Sequence, residues 1–277
     1  MKPNAITALL TFLSCLLFST YFIKNDFGVI GIKAEFEAEG TRMDELLRLV
    51  EIVRKNNLKL GIKIGGCEAI KDLMESKQIG SDYIIAPMVE TEYALSKFIQ
   101  AKNRIYNNYE KEQTLFLINI ETKTTFKNLR KINSHIASYK NNKESIDGFV
   151  FGRVDYSLSN NFSREDINKN KVTNDVIKVA KICKKNNLDL VVGGGISSDS
   201  LSALNKISNI HLDRFETRKI IFSKESLDIQ NLKDGMILAV LFELLWLKNK
   251  KQYYGNIYKE DDLRIKMLNK RWRTPSR

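Results

Sequence analysis

Histidine is scarce in this chain: His135 and His211 are the only two among 277 residues. His135 falls inside a helix-like stretch. His211 opens an apolar run, at the end of a strand opposite to the one where barrel enzymes place their chemistry. Neither is positioned as a general base, which excludes Ser/His/Asp and Cys/His nucleophilic schemes. Proton transfer is left to a carboxylate, a lysine of lowered pKa or metal-bound water. Cysteine is almost as scarce. Cys15, Cys67 and Cys183 show no CxxC or Cys/His spacing of a zinc site, and they fit a reduced compartment. Cys67, directly after Gly65-Gly66 at a predicted strand end, is the one placed to face a site. There are only three prolines, with 43% hydrophobic and 28% charged residues, so the chain is expected to pack into regular structure without long linkers.

No charged residue occurs between Ala5 and Ile23, a run long enough to cross a bilayer. The Lys-Asn-Asp-Phe-Gly that follows lacks the small-x-small site of a cleaved signal peptide. The run therefore reads as a membrane anchor or as a helix plugging the bottom of a barrel. As an anchor it would leave the lysine-rich body cytoplasmic, and a cytoplasmic location is expected in either case. The formal charge is +12, from 45 Lys+Arg against 33 Asp+Glu. The lysines are spread over every predicted helix with no aromatic-interleaved basic strip, so a solvated surface is expected and nucleic acid is not. The one basic cluster is the tail from Asn269 to Arg277.

Between these ends, strand-like and helix-like segments alternate, which predicts βα units around a parallel sheet. Strands are expected over 29–35, 58–64, 83–88, 115–121, 148–153, 188–192 and 211–216. Helices are expected over 41–55, 68–77, 91–101, 125–138, 174–185 and 198–207. The first helix is the clearest: Met43, Leu46, Leu47, Val50 and Val53 share one face, and Thr41 with Asp44 resembles a capping box. The pattern favours a (β/α)8 TIM barrel over 28–235, and barrels of roughly 250 residues fold around a single core, so one domain is expected. Residues 1–27 form the N-terminal hydrophobic segment, and 236–277 a helical extension with apolar surface for its own barrel or for a second subunit of a homo-oligomer. Seven strands are visible. The eighth is expected within the N-terminal run, in Ile-Ile-Phe after Lys219, or at an irregular seam. An open doubly wound sheet is the competing architecture, but the acidic segment after the first strand is no nucleotide loop.

Polar residues recur at the predicted strand ends: Glu35, Lys63, Glu90, Glu121, Arg153, Asp155, Glu216 and Arg218. Such groups are costly to bury without a partner or ligand. Glu121 and Asp155, on consecutive strands, can converge on one divalent ion. Gly193, Gly194 and Gly195 precede a helix and can cradle phosphate or carboxylate, or simply form a tight turn. A phosphate-binding isomerase or synthase and a non-catalytic ligand-binding barrel both remain open on these features.

Ile-Ala-Pro-Met-Val-Glu-Thr (85–91), Ile-Asn-Ile-Glu-Thr (118–122) and Gly-Phe-Val-Phe-Gly-Arg-Val-Asp (148–155) resemble the HpcH/HpaI aldolase and citrate lyase beta-subunit family, over about 28–222. The resemblance implies a pyruvate-binding TIM barrel and a carbon–carbon lyase acting on a 2-oxo acid or acyl compound. It implies that Glu121 and Asp155 hold Mg²⁺, with Mn²⁺ as the alternative, and that Lys63 stands where the family presents an arginine to the substrate carboxylate. Glu35, Lys63 and Arg153 are the expected catalytic groups. Lys63, the three glycines, Glu216 and Arg218 are the expected substrate-binding ones. The family's Glu-His pair is Glu35-Phe36 here, and its Gly-Pro-Ala-Asp is Gly-Arg-Val-Asp. Lys-Ala-Glu-Phe-Glu-Ala-Glu-Gly (33–40) and Asp-Arg-Phe-Glu-Thr-Arg (213–218) resemble a divergent branch.

Overall fold

The computed structural model describes residues 24, 26–139 and 141–272. Eight strands close into one barrel in sequence order. They are β1 Val29–Glu35, β2 Lys59–Lys63, β3 Tyr83–Ala86, β4 Leu115–Ile120, β5 Gly148–Gly152, β6 Asp189–Gly193, β7 Arg214–Glu216 and β8 Ile220–Ser223. The helices are α1 Met43–Lys55, α2 Ile70–Gln78, α3 Glu92–Ile105, α4 Asn108–Gln113, α5 Lys123–Ala137, α6 Arg153–Ser159, α7 Asn170–Asn186, α8 Leu201–Ser208 and α9 Leu232–Trp272. The barrel, and not the open sheet, is the architecture.

Strands β1 to β7 pair in parallel, as the βα alternation predicts. The eighth strand is the Ile-Ile-Phe segment, and it runs antiparallel to both β7 and β1. Only Thr217, Arg218 and Lys219 separate it from β7. A parallel return needs a crossover of about a dozen residues or more, so the chain turns back as a hairpin. Thr217 N–H donates to Ile220 O at 2.9 Å, and Ile220 N–H donates to Thr217 Oγ1 at 3.0 Å. The reversal places Arg218 and Lys219 on the rim formed by the C-terminal ends of the parallel strands.

Alternation along the strands sorts the side chains into two cores. Outward residues such as Ile62, Ile84, Ile118 and Phe149 pack beneath the helices. Inward, Ile85, Leu117, Val150 and Val191 form a separate apolar plug. Two residues further along three of these strands stand Asn119, Gly152 and Gly193, so the barrel interior changes from apolar plug to polar floor at the C-terminal rim. At the opposite rim, Asp82, Asp147 and Asp213 each accept an N–H from the neighbouring strand, those of Leu60, Phe116 and Leu190, at 2.8, 2.8 and 2.7 Å. His211 lies at that rim too, 2.9 Å from Leu188 O.

Helix α1 begins at Met43, two residues later than the expected start, and its cap lies one residue later than Thr41. Its N-cap is Arg42, whose N–H is accepted by Glu45 Oε2 at 3.4 Å, while Thr41 Oγ1 turns to Glu39 at 3.5 Å. The C-terminal extension packs on its own barrel: Leu232, Met236, Ala239, Phe242 and Trp246 are buried at helical spacing. Gly235 lets α9 approach Phe27, where a Cβ would lie 2.5 Å from the ring. Arg48 lies over Trp246 and Tyr253, 5.5 and 5.0 Å from their centroids, and Lys250 pairs with Glu45 at 3.3 Å. The opposite face of α9, with Ile237, Val240, Leu244 and Leu247, is exposed.

Cys15 and the apolar run 5–23 fall outside the described residues, as do the last residues of the basic tail. Among the described residues, no helix is long and apolar enough to cross a membrane. Because Phe242 is fully buried and Leu244 is 45% exposed, Phe242→Ala is expected to lower unfolding stability in urea by about 3–5 kcal/mol. Leu244→Ala should change it by no more than about 0.5 kcal/mol.

Candidate active site

A cavity of about 530 Å³ opens at the C-terminal rim of the barrel, within the size range of small-molecule sites. It gathers Glu35, Lys63, Glu121, Asp155, Gly193, Gly194, Gly195, Glu216 and Arg218 from the residues predicted to matter, and it excludes Arg153, both histidines and Cys67. Lys33, Asn119 and Arg164 also line it and were not anticipated. Lys33 and Asn119 are two residues before Glu35 and Glu121 on the same strands, so the inward alternation was a signal for both. Arg164 sits on an irregular turn, Arg164–Asp166, for which no periodic signal exists.

Glu121 is at the centre. It is 1% exposed and follows directly on β4. Its Oε1 accepts the backbone N–H of Met88 at 3.0 Å, and its Oε2 accepts Asn119 Nδ2 at 2.7 Å and Lys63 Nζ at 3.2 Å. Met88 has φ +54°, in the left-handed region that few non-glycine residues adopt. That conformation, just past the end of β3, accompanies the aiming of its N–H at the carboxylate. Asn119 is buried, and its Oδ1 has no hydrogen-bond partner. A buried acceptor left without a donor is costly, and Asn119 lines the cavity.

Asp155 was expected at the end of a strand. Strand β5 ends at Gly152, and Asp155 lies in the first turn of α6, exposed to the cavity. Partial burial and the nearby Glu121 carboxylate hold its pKa above the ordinary aspartate value, against the opposing pull of Lys63 and Arg218. Glu35 behaves oppositely. Burial by itself would raise its pKa, but Lys33, Lys63, Arg218 and Lys219 together lower it, so it is ionised at neutral pH. Lys33 bonds Glu216 closely and lies 3.5 Å from Glu35. Although burial works against the charged ammonium, Glu216 and Glu35 outweigh it and raise the pKa of Lys33.

Arg153 departs from its expected catalytic position. It is 1% exposed and its guanidinium turns away from the cavity. It donates to Gly193 O, Gly194 O and Gly195 O at 3.3, 2.9 and 3.3 Å, to Asn168 Oδ1 at 2.8 Å and to Ser200 Oγ at 3.2 Å. Burial lowers its pKa to about 10. The five-donor fork of arginine suits this task, in which one group satisfies a row of carbonyls. The glycine loop is thus fixed from behind. Gly194, at φ +79°, comes so close to the start of α6 that a Cβ would lie 2.7 Å from Val154 N. Glu90 is also structural, accepting Thr122 Oγ1 at 2.5 Å. Arg218 donates to Glu39 at 3.0 Å, and Lys219 bonds the same carboxylate.

The donor set can be tested against a divalent ion. Among the described residues, no three or more His, Cys, Asp and Glu side chains are grouped as a metal site, which does not fit a closed structural centre. Two mutually repelling carboxylates beside an unsatisfied amide oxygen do fit an ion that takes one or two protein carboxylates and its remaining ligands from water and substrate.

A closed α/β barrel with an acidic pocket at its C-terminal rim is the general plan of barrel enzymes. The sequence pattern of the HpcH/HpaI aldolase/citrate lyase family matches residues 42–200, and the chain belongs to this family. No curated protein matches the sequence. Solved structures share the fold at low identity. The HpcH/HpaI aldolase from Desulfitobacterium hafniense DCB-2 is 11% identical, with a TM-score of 0.56 over 73% of this chain and 82% of that one. The citrate synthase SbnG is 14% identical, with a TM-score of 0.55 over 73% and 81%. An HpcH/HpaI aldolase/citrate lyase family protein from Burkholderia cenocepacia J2315 is 9% identical, with a TM-score of 0.54 over 79% and 96%.

The raised pKa of Asp155 has a sign that can be measured. A carboxyl whose folded pKa exceeds its unfolded value destabilises the fold progressively as pH rises through that interval, and has no effect below both values. Without divalent metal, Asp155→Asn is therefore expected to raise Tm at about pH 7 and to leave it unchanged at about pH 3, where the aspartate is protonated in both states. Thermal unfolding at the two pH values checks this.

Proposed function

We propose that this chain is a divalent-metal-dependent carbon–carbon lyase that cleaves or forms a bond next to a 2-oxo acid or acyl group. The observation that carries the reading is the meeting of Glu121 and Asp155 in one cavity, with Asp155 raised in pKa by burial and by the Glu121 carboxylate. These two residues would hold Mg²⁺, or alternatively Mn²⁺. The ion would supply Lewis-acid polarisation of the 2-oxo group. Asn119, whose Oδ1 has no partner, holds Glu121 through its Nδ2.

The remaining roles fall to groups of the chain. Lys63, 17% exposed at its side chain and facing the cavity, neutralises the substrate carboxylate. It does so as a point charge, without the bidentate grip of an arginine. Glu35 takes the proton from the substrate hydroxyl as the carbon–carbon bond breaks, and the same proton returns to the carbon left with the electron pair, so no external acid is consumed. Its lowered pKa keeps it ionised at neutral pH, which leaves the carboxylate free to accept a proton while making it a weaker base, and Lys33 lies 3.5 Å from it. The usual histidine position is Phe36, which packs partly buried against the core, so Glu35 is the nearest alternative base. Gly193 to Gly195, Glu216 and Arg218 shape the wall against which the rest of the substrate lies.

Isothermal titration tests the reading. Mn²⁺ with pyruvate is expected to bind wild type, and binding is expected to fall at least about tenfold in Asp155→Ala, the loss typical when a metal-site partner is removed. Equal binding by both proteins would remove the central claim.

A further inference from the structure

Among the described residues, Lys63 is the only cation bonded to Glu121, and the way it is bonded has a consequence for the order of binding. Among the described residues its ammonium has one hydrogen-bond and ion-pair acceptor, Glu121 Oε2, at 3.2 Å. That is longer than the roughly 2.7–2.9 Å of a well-formed charged pair. The other two donors to Glu121 are a backbone N–H and the Asn119 amide, both fixed by the barrel. Lys63 alone can leave, because it reaches Glu121 from the cavity along a flexible four-carbon stem. Its side chain is 17% exposed where that of Glu121 is 2%.

We infer that Lys63 is a tethered placeholder for the divalent cation: it neutralises Glu121 when no metal is bound, gives up Oε2 on metal binding, and then turns its charge to the substrate carboxylate. This rests on the metal-dependent reading above. It follows that Lys63 opposes metal binding when no oxo acid is present and favours it when one is, so the two ligands bind with positive coupling. A buried carboxylate cannot stay charged without a counter-ion, and one mobile ammonium that serves first Glu121 and then the substrate meets that need in both states. Coupling is reciprocal, so metal must raise oxo-acid affinity by the same factor that oxo acid raises metal affinity.

The test is Mn²⁺ titration of the full chain, by calorimetry and by electron paramagnetic resonance of free Mn²⁺, with and without saturating pyruvate. In Lys63→Met, Mn²⁺ alone is expected to bind at least about fivefold more tightly than in wild type, and the tightening by pyruvate to be smaller by about fivefold or more, the lower range of ordinary coupling energies. Lys63→Gln serves as a second variant if the methionine chain fails to fold. Arg164→Gln is the control, since it removes a cation that lines the same cavity without a bond to Glu121. If Arg164→Gln tightens Mn²⁺ as much as Lys63→Met does, the effect is general electrostatics and the inference is overturned. It is also overturned if wild type shows coupling that the Lys63 variants retain in full. If wild type binds no Mn²⁺ with or without pyruvate, the metal-dependent function itself fails, and this inference falls with it.

Discussion

The burial of the Glu121 carboxylate is the constraint around which the upper half of this barrel is arranged. A charge removed from water in this way is costly unless donors surround it, and here they arrive from three successive strands: Lys63 at the end of β2, Met88 just past β3 and Asn119 on β4. Meeting that demand fixes the ends of those strands relative to one another. It also shapes what remains. Two of the donors are an N–H and an amide held by the barrel, the third is a lysine on a long stem, and Asp155 stands nearby, where burial and the carboxylates of Glu121 and Glu35 outweigh the pull of Lys63 and Arg218. On the proposed reading, this is the place an added cation would take.

A second arrangement closes the rim. The short link after β7 forces a hairpin, and the hairpin carries Arg218 and Lys219 to Glu39, between the barrel mouth and α9. Lys250 of α9 donates to the backbone oxygen of the same glutamate at 3.2 Å. The charges around Glu35 and Glu216 are matched in the same way by Lys33. One wall of the cavity is thus a series of paired ions, while the Glu121–Asp155 side is left with excess negative charge. Arg153 holds the third side by tying down the glycine loop from outside the cavity.

Much of this was legible in the residues. Glu121 and Asp155 each close an apolar run, and a carboxylate in that position has few bland explanations. Glu35, Lys63 and Glu216 share the same signature, and all of them reach the cavity. What was hidden depends on neighbours far away in sequence. The direction of the Arg153 side chain is decided by the carbonyls of Gly193 to Gly195, about forty residues on; strand-end position alone suggested catalysis. The left-handed turn at Met88 carries no residue-type signal, since glycine or asparagine would be expected there. The eighth strand was ambiguous because three linking residues fit both a hairpin and the edge of an irregular seam. The one-residue shift of the α1 cap reflects a local competition between Thr41 and Glu45 that spacing does not resolve.

The most direct measurement of whether Glu121 and Asp155 form one cation site is a crystal of the protein grown with Mn²⁺ and oxalate and read by anomalous scattering at the manganese edge. The expected result is a single strong peak within coordination distance of both carboxylates, with Lys63 turned from Glu121 to the oxalate. Glu121 still bonded to Lys63, with no peak between it and Asp155, would contradict it.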